Sequence, residues 1–411
     1  MSAEIISIAA LGVMFVVASV LPINIGILAF IGAFVVGTAS LGLTEDEIFE
    51  GFPVSLFVTI VGVTYLFSVA QRNGTIDLLV GAGVRLVRGR VAFIPWVLFV
   101  VAATLTAFGT FTPAAVALLV PVGMNFAFRY GMSPLMIGMM VISGAHAGAF
   151  SPIAVSGVLV SGMIAETPLS VAPHVMFLAS FAFNLFLSVV TFFLLGGARG
   201  GVAEGSEQDE RLSPSWRQWV TLVALAGLAV GALGFHLEIG FLALAAGALL
   251  TLIDIGNQAK AVEGISWSTI LLVAGMVTYV GILEKAGTIE LISHQAAGMG
   301  APLLVALLLC LVVAVTSAFA SSTAILTAII PVAVPLLLSS HLSAAGMVAA
   351  LAISTTIVDV SPFSTNGALV LSNARGVDRD RFYRQVIGYT AGIVGIGPVL
   401  AWGALVVPGA L

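Results

Sequence analysis

Polar residues interrupt four long apolar segments of this chain, and these interruptions are where the sequence offers chemistry. The segments form two matched pairs, 92–128 with 301–340 and 134–164 with 346–372. Where a helix is broken inside an apolar segment, backbone N–H and C=O groups lose their helical partners and become free to bind an anion or a cation. We therefore expect a binding site where the four interruptions meet.

Three of the interruptions contain a hydroxyl residue directly before a proline, at Thr112-Pro113, Ser151-Pro152 and Ser361-Pro362. An N-cap hydroxyl followed by proline at the first helical position is typical of a helix start. We predict a half-helix N-terminus at each of these sites, and Ser322 or Thr323 as the cap in the fourth interruption. The positive ends of such helices favour an anion.

The side chains in these interruptions form two candidate sets. Candidate ligands for an anionic substrate are Thr110, Thr112, His146, Ser151, Ser322, Thr323, Ser361 and Asn366. Candidate ligands for a coupling ion, Na⁺ or H⁺, are Thr110, Ser143, Ser321, Ser322, Thr355, Asp359, Ser364 and Thr365. A sodium ion prefers the carbonyl and hydroxyl oxygens that such breaks expose. The sequence indicates no other cofactor.

Two ionisable residues, His146 and Asp359, lie within the interruptions. Ionisable groups inside apolar segments are costly and usually functional. Aligning Ser151 with Ser361 sets His146 opposite Thr356, so the two residues are not repeat equivalents and each is expected in one half-site only. Asp359 could bind a cation or carry a proton. For His146 a substrate role and a packing role stay open, because a lone histidine is weak evidence.

The composition indicates that lipid is the solvent for most of the chain. Of its 411 residues, 60% are hydrophobic and 8% are charged. Apolar stretches of about twenty residues recur, each long enough to cross a hydrocarbon core about 30 Å thick. A lipid-facing backbone must satisfy its own hydrogen bonds, so we predict an all-α integral membrane protein. The single cysteine, Cys310, rules out an internal disulfide, and no basic groove indicates nucleic-acid binding.

A hydrophilic linker at 196–216 separates two copies of one unit, 1–195 and 217–411. At a shift of about 213 residues, short motifs match in the same order, such as Val63-Thr64-Tyr65 with Val277-Thr278-Tyr279. With an odd number of crossings per copy, here five, the second copy would start on the opposite side of the membrane and be inverted relative to the first. The predicted fold is therefore two inverted repeats, each with five transmembrane helices and one re-entrant helical hairpin, and with discontinuous helices at the midplane.

Loop charge orients this layout, because cytoplasmic loops accumulate Lys and Arg. We take 92–128 and 301–340 as hairpins that return to their own side, and 134–164 and 346–372 as broken helices. All 14 Lys and Arg residues except Lys285 then fall on one face. That face, with the linker, is predicted to be cytoplasmic and both termini periplasmic, in a bacterial inner membrane. Double crossings would give the same parity, but the broken centres favour hairpins.

A simpler interpretation is that the hydroxyl groups bond back to helical carbonyls and the prolines are kinks, both of which are common in membrane helices. A single interruption would fit that interpretation. Four interruptions in matched pairs favour a functional site, because paired discontinuities in repeats are a sequence signal of a transporter centre.

The first half also carries a set of short motifs: Phe52-Pro53, Leu56-Phe57, Val61 through Phe67, Asn73-Gly74-Thr75, Gly89-Arg90, Ile94-Pro95-Trp96 and Phe150-Ser151-Pro152. Over roughly residues 20 to 165 these motifs resemble the N-terminal signature of the dicarboxylate carrier family typified by the malonate carrier MatC. That family lies in the divalent-anion symporter group of the ion transporter superfamily. The second half fits the superfamily by architecture.

This resemblance implies a homodimer in which the first three spans of each copy are a scaffold. The hairpins and broken helices would then form a moving transport domain, as in an elevator mechanism. Symporters of this group carry a Ser-Asn-Thr triplet at each hairpin tip, where it contacts carboxylate and sodium. Here the second tip reads Ser321-Ser322-Thr323 and the first reads Phe111-Thr112-Pro113, which keeps hydroxyl groups and loses the amide.

The expected function is secondary active transport of a small dicarboxylate, malonate or a C4-dicarboxylate, coupled to Na⁺ or H⁺ by alternating access. Two alternatives stay open within transport. One is the large membrane subunit of a binding-protein-dependent tripartite carrier, and the other is an arsenite or citrate carrier of the same superfamily. An enzyme is not expected, because no Gly-flanked serine motif, zinc-ligand pair or paired catalytic carboxylates are present.

Overall fold

The structure is a computed structural model in which α-helices are joined by short connections. It describes residues 2–21, 23–85, 91–165, 167–197, 214–235, 237–253, 258–288, 291, 301–319 and 321–409. Within these ranges the chain forms no strand, so the predicted all-α class is confirmed. Most of the predicted linker at 196–216 lies outside the described residues.

The helices of the first half are α1 (Ala3–Val20), α2 (Ile25–Leu41), α3 (Glu45–Phe49), α4 (Val54–Arg72), α5 (Thr75–Arg85), α6 (Ile94–Ala107), α7 (Thr112–Tyr130), α8 (Pro134–Gly148), α9 (Val155–Ala165) and α10 (Pro173–Leu194). The helices of the second half are α11 (Trp216–Gly234), α12 (Ile239–Ile253), α13 (Gln258–Glu263), α14 (Trp267–Lys285), α15 (Pro302–Ser317), α16 (Ser322–Ser339), α17 (Ala344–Thr356), α18 (Thr365–Asn373) and α19 (Arg379–Leu405). Short 3₁₀ turns occupy Val91–Phe93, Ile357–Val360 and Val407–Gly409.

Six helical segments among the described residues are long and apolar enough to cross a membrane: Val54–Arg72, Thr112–Tyr130, Pro173–Leu194, Trp267–Lys285, Ala344–Asn373 and Arg379–Gly409. Shorter apolar helices accompany them, and large hydrophobic side chains are exposed along many helix faces. Such faces suit lipid, so the chain is a multi-pass membrane protein. The side of the membrane on which each terminus lies stays a prediction.

Both halves place helices in the same order around their polar interruptions. A four-residue connection joins α6 to α7, and another joins α15 to α16. The next helix in each half is broken, so that α8 is followed by α9 and α17 by α18. These pairs lie over the segments predicted as hairpins and broken helices. The inversion of the second copy, and re-entry rather than crossing by the hairpins, stay predictions.

The helices pack as two sets. In the scaffold set, α1–α4 and α11–α14, helix α2 lies along α14 and helix α12 lies along α4, so each half pairs with the other. In the hairpin set, α6–α10 and α15–α19, helix α8 packs against α6, α7 and α10, and α17 packs against α15, α16 and α19. The two sets meet where α4 contacts α9 and α14 contacts α16.

Glycine allows the paired helices of the scaffold set to approach closely. A Cβ on Gly26 would lie 2.0 Å from the carbonyl oxygen of Leu271, and a Cβ on Gly275 would lie 2.0 Å from that of Gly26. The other pair repeats the arrangement, because a Cβ on Gly62 would lie 2.4 Å from the carbonyl oxygen of Gly240. Small residues at such crossings are the usual means of tight packing in membranes.

Tyr65 and Thr251 link α4 to α12 in the scaffold set through hydroxyl groups 2.7 Å apart. We expect Tyr65→Phe to lower the stability by about 1 kcal/mol, because one net hydrogen bond is lost while the ring is kept. The thermal unfolding midpoint of the purified protein in detergent measures this effect. Tyr383→Phe, on an exposed part of α19, is the control and should leave the midpoint unchanged. Equal midpoints for both variants would show that the link does not stabilise the fold.

Candidate functional site

A cavity of about 490 Å³ lies between the scaffold set and the hairpin set. The hairpin set contributes both tips, the break between α17 and α18, and the end of α8. The scaffold set contributes α1 and the starts of α2 and α14. The polar lining residues are Asn24, Thr112, His146, Ser156, Ser268, Thr269, Ser321, Ser322, Thr323, Thr356, Asp359, Ser364, Thr365 and Asn366.

The fold brings most of the candidate residues to this one cavity. The candidates that line it are Thr112, His146, Ser321, Ser322, Thr323, Asp359, Ser364, Thr365 and Asn366. The candidates outside its lining are Thr110, Ser143, Ser151, Thr355 and Ser361. Among the latter, the Thr355 hydroxyl donates to the Leu351 carbonyl oxygen at 2.7 Å within its own helix. The binding roles predicted for the candidates that line the cavity, and for those outside it, stay predictions.

His146 and Asp359 meet in the cavity wall although they come from different halves. The Nε2 atom of His146 lies 3.5 Å from Oδ2 of Asp359. It also lies 3.5 Å from Nδ2 of Asn366, in the first turn of α18. The Ser322 hydroxyl donates to Oδ1 of Asp359. His146 comes from the first half and Asp359 from the second, and the fold joins both halves around a single cavity.

Ser317 supports this cluster from behind and was not a candidate from the sequence. Its hydroxyl donates to the Ser322 hydroxyl at 3.0 Å and to the Thr355 carbonyl oxygen at 2.7 Å. The chain Ser317–Ser322–Asp359 therefore fixes the second hairpin tip to the broken helix. The available sequence signal was its place in the polar interruption of 301–340, four residues before Ser321.

Two polar atoms of the cluster are buried without a hydrogen-bond partner, Nδ1 of His146 and Oδ1 of Asn366. Both residues are almost fully buried, His146 at 2% and Asn366 at 1% exposure. Buried polar groups are normally paired, so an unpaired one requires an explanation. A bound ligand or water in the adjacent cavity would supply the missing partner.

The scaffold side of the cavity also carries polar groups that the sequence did not single out. Asn24 caps α2 by accepting from the Gly26 N–H at 2.8 Å. Its Nδ2 donates to the Ser268 carbonyl oxygen at 2.8 Å and to the Ser268 hydroxyl at 2.9 Å. Asn24 belongs to a repeat motif, Asn24-Ile25-Gly26, and that repetition was the available signal.

The helix starts at the tips differ from the predicted ones by one or two residues. Helix α7 begins at Thr112 with Phe111 as its N-cap, and α16 begins at Ser322 with Ser321 as its N-cap. The predicted caps Thr112, and Ser322 or Thr323, are therefore wrong. Gly109, with φ +116°, lets the first tip reverse within four residues. Neither cap side chain accepts a hydrogen bond. In α7, Pro113 has no N–H and the Ala114 N–H donates to the Phe111 carbonyl oxygen at 2.9 Å, so the Thr112 N–H is the first-turn donor left for a ligand.

The predicted helix starts at Ser151 and Ser361 are also wrong, because each Ser-Pro pair opens a turn that precedes the helix. The Ser151 carbonyl oxygen accepts from the Ala154 N–H at 2.9 Å, and α9 starts only at Val155. The Ser361 carbonyl oxygen accepts from the Ser364 N–H at 3.0 Å. Ser364 is then the N-cap of α18, whose first turn lines the cavity.

The two Ser-Pro turns fold back onto their helices at a glycine. A Cβ on Gly157 would lie 2.0 Å from the Ser151 carbonyl oxygen, and a Cβ on Gly367 would lie 1.9 Å from the Ser361 carbonyl oxygen. The spacing from serine to glycine is the same in both halves. This spacing is the sequence signal for the turn. It also shows that the turn packs against its helix in the same way in both breaks.

The chain was compared with known proteins. A family model described as the N-terminus of the dicarboxylate carrier protein MatC matches residues 1–149. No curated protein matches the chain in sequence. The solved structure of the Alcanivorax borkumensis YdaH transporter, described as having an unusual topology, matches with a TM-score of 0.61 and 17% identity over 89% of this chain and 88% of that chain. At this identity the likeness concerns the fold.

These findings confirm the resemblance predicted from the sequence. The matched segment contains the first three long helices, the first hairpin tip and His146, and it ends before the first Ser-Pro turn. The family match supports a dicarboxylate transporter rather than an enzyme. Residues 1–149 of this chain thus match the MatC dicarboxylate carrier family, and 89% of the chain shares its fold with the solved structure of a transporter.

Proposed function

We propose that the protein is a secondary active transporter that moves a small dicarboxylate, malonate or a C4-dicarboxylate, across a bacterial inner membrane together with Na⁺ or H⁺. One observation carries this proposal: the polar cavity of about 490 Å³ whose wall is built from both halves of the chain. The family match of residues 1–149 supports the dicarboxylate class of substrate.

The cavity offers what a small carboxylate needs. The first residues of α7, α16 and α18 all line it, so three helix N-termini are directed at one space. Each N-terminus carries partial positive charge, which favours an anion. Hydroxyl groups and the amide of Asn366 add neutral donors that orient a ligand. The hydroxyl groups and the carboxylate of Asp359 would be the ligands of a coupling ion.

Alternating access would follow from movement of the hairpin set against the scaffold set. The substrate cavity lies between these sets, so a rigid displacement of one set would change the side from which the cavity is open. The tight glycine crossings within the scaffold set support its role as the stationary part. As the family resemblance implies, two copies would form a homodimer, and we include this in the proposal.

The decisive experiment is uptake into proteoliposomes that contain the purified chain alone. Malonate, succinate, citrate and arsenite are each offered under a Na⁺ gradient and, separately, under a proton gradient. We expect uptake of malonate or succinate under one gradient. Accumulation without added proteins would exclude the tripartite alternative. Transport of only citrate or arsenite, or of none of the four, would overturn the proposal.

Asn366→Ala is expected to weaken the apparent affinity for the transported dicarboxylate about tenfold or more, because a hydrogen bond to a charged group is lost. Asn366 lines the cavity, whereas Asn373, at the end of the same helix, donates to the Leu369 carbonyl oxygen at 2.9 Å and lies outside it. Asn373→Ala is therefore the matched control. Uptake measured at a range of substrate concentrations gives the apparent affinity of each variant for the dicarboxylate. Similar affinities for the two variants would remove Asn366 from the site.

A further inference from the structure

An apolar groove of about 580 Å³ lies beside the polar cavity, between α1 of the scaffold set and the second hairpin, α15 and α16. Leu11 forms part of one wall, and Val312, Ile325 and Ala328 form part of the other. Thr316 is the one hydroxyl residue among the described lining residues, and its hydroxyl donates to the Val312 carbonyl oxygen at 2.8 Å. The groove therefore suits a hydrocarbon chain and offers little to a polar group.

The apolar groove and the polar cavity share part of their walls. Phe15 of α1 and Phe319 of the second hairpin tip line both spaces. On α16, Ala324 lines the cavity, whereas its neighbour Ile325 lines the groove. The boundary can yield on the hairpin side, because Phe319 is 66% exposed and exposed side chains change rotamer within nanoseconds. A flexible chain that starts in the cavity can therefore continue into the groove.

The start of α16 places an anion close to this boundary. Ser322, the first residue of α16, lines the cavity, and Phe319 precedes it by three residues in the same tip. Phe363, next to the second Ser-Pro pair, also lines the cavity, and its ring centroid lies 5.3 Å from that of Phe319. A carboxylate held at the N-terminus of α16 is thus followed by apolar surface. A substituent on the carbon next to that carboxylate would meet these rings and then the groove.

A ligand chain from water gains more in the apolar groove than a lipid chain does. Lipid tails are as apolar as the side chains that line the groove, so a phospholipid chain gains little by leaving the bilayer for it. An alkyl chain that arrives from water is stabilised by the burial of each of its CH₂ groups. The occupant that the two spaces favour together is therefore an anion that carries an alkyl chain.

We propose that the protein binds dicarboxylates that carry an alkyl chain, with the carboxylates in the polar cavity and the chain in the apolar groove. The ligand class is that of the 2-alkylmalonates or, for a C4 substrate, the 2-alkylsuccinates. Phe15 and Phe319 are the side chains that the alkyl chain passes. The inference rests on the proposed function and deepens it, because it names the substituent that the site accepts.

Displacement of labelled malonate or succinate from the purified wild-type chain tests this proposal. The displacing ligands are malonate and its 2-ethyl, 2-butyl and 2-hexyl derivatives, or the same series built on succinate, according to which acid the protein transports. One further ligand carries a diether chain of the same length as the hexyl chain. All these ligands carry two carboxylates, so they differ in the chain alone.

We expect the affinity to rise about threefold for each CH₂ group between ethyl and hexyl, because each is buried in the groove. The diether should gain much less, since the Thr316 hydroxyl already donates to the Val312 carbonyl oxygen. A gain of less than about twofold across the whole alkyl series would overturn the proposal, and it is the result expected if a bilayer lipid or a second copy of the chain fills the groove. A diether that binds as well as the hexyl ligand would also overturn it.

These outcomes leave the proposed function intact, because the unsubstituted acid still binds and is taken up. If the wild-type chain neither binds nor takes up malonate or succinate, the proposed function itself fails.

Ala328→Phe tests the position of the chain, because Ala328 lines the groove and not the cavity, and a phenyl ring there takes up the space. In this variant the ratio between the hexyl and ethyl affinities should fall towards one. Ala226→Phe, at an exposed position on α11 outside the groove, is the matched control and should keep the wild-type ratio. An unchanged ratio in Ala328→Phe would show that the chain lies elsewhere, for example in the bilayer, and would overturn the proposal.

A photoreactive ligand gives the same answer without a substitution, so the test does not depend on the folding of Ala328→Phe. A hexyl derivative with a diazirine at the end of its chain is irradiated with the wild-type chain, and labelled peptides are identified by mass spectrometry. We expect adducts at 312–316 and 328–332, which contribute to the groove and not to the cavity, and excess unsubstituted acid should suppress them. Adducts confined to other segments, or adducts that the excess acid does not suppress, would overturn the proposal.

Discussion

Replacing Gly367 with alanine is expected to lower dicarboxylate uptake by about 100-fold, because the turn before α18 leaves no room for a β-carbon. A Cβ at this position would lie 1.9 Å from the Ser361 carbonyl oxygen and 2.8 Å from the Val360 carbonyl oxygen. Both contacts are with backbone atoms, so the clash is relieved only if the turn or the first turn of α18 moves. That movement displaces Asn366 and Thr365, which line the cavity. A shift of about 1 Å in a binding group is enough for a loss of this size.

The glycine series contains its own controls. Gly157→Ala should act in the same way at the first break, since its Cβ would lie 2.0 Å from the Ser151 carbonyl oxygen. Gly388 in α19 has nothing within 4 Å of its Cβ position, so Gly388→Ala should keep wild-type uptake. Initial rates are compared in proteoliposomes at equal protein density. Normal uptake by Gly367→Ala would mean that the turn does not pack against α18 as described.

The sequence predicts the breaks of this fold better than their detailed form. The apolar segments and their polar centres can be recognised in the order of residues along the chain, because a membrane requires long apolar helices. The predicted start of each second half-helix is wrong, because the Ser-Pro pair opens a turn and does not cap the helix. Capping rules consider only the residue types at the helix end. They do not consider whether a preceding turn packs against the helix that follows it. The glycines Gly157 and Gly367, at equal spacing in both halves, carry that information.

The contact between His146 and Asp359 could not be predicted from the repeat. Aligning the halves sets His146 opposite Thr356 rather than opposite Asp359, so the alignment gives no indication that these two side chains meet. In the fold, α8 of the first half packs against the 3₁₀ turn of the second half, and the two side chains meet there. Packing between halves is a tertiary property that motif spacing does not specify. The role of Ser317 is not predictable from motif spacing for the same reason, because packing brings its partners Ser322 and Thr355 to it.

Asp359→Ala is expected to lower uptake by about 100-fold or more, because removing the shared acceptor leaves buried polar groups without a hydrogen-bond partner. The substitution leaves the Ser322 hydroxyl and Nε2 of His146 without their acceptor. These contacts hold the second hairpin tip, the break of the second broken helix and α8 together at the cavity. Initial rates of labelled uptake measure the loss. Size-exclusion profiles in detergent show whether the variant is folded, and Asp380→Ala, at an exposed position outside the cavity, is the control.

A double-mutant cycle separates the pair from its surroundings. His146→Ala alone leaves the Asp359 carboxylate without its nearest basic group, and so it should also reduce uptake. If the two side chains act as a pair, the double variant should be no worse than Asp359→Ala alone, with a coupling of about 0.5–3 kcal/mol. Losses that simply add would mean that the two residues act independently. Wild-type uptake in Asp359→Ala would show that Asp359 does not belong to the transport site.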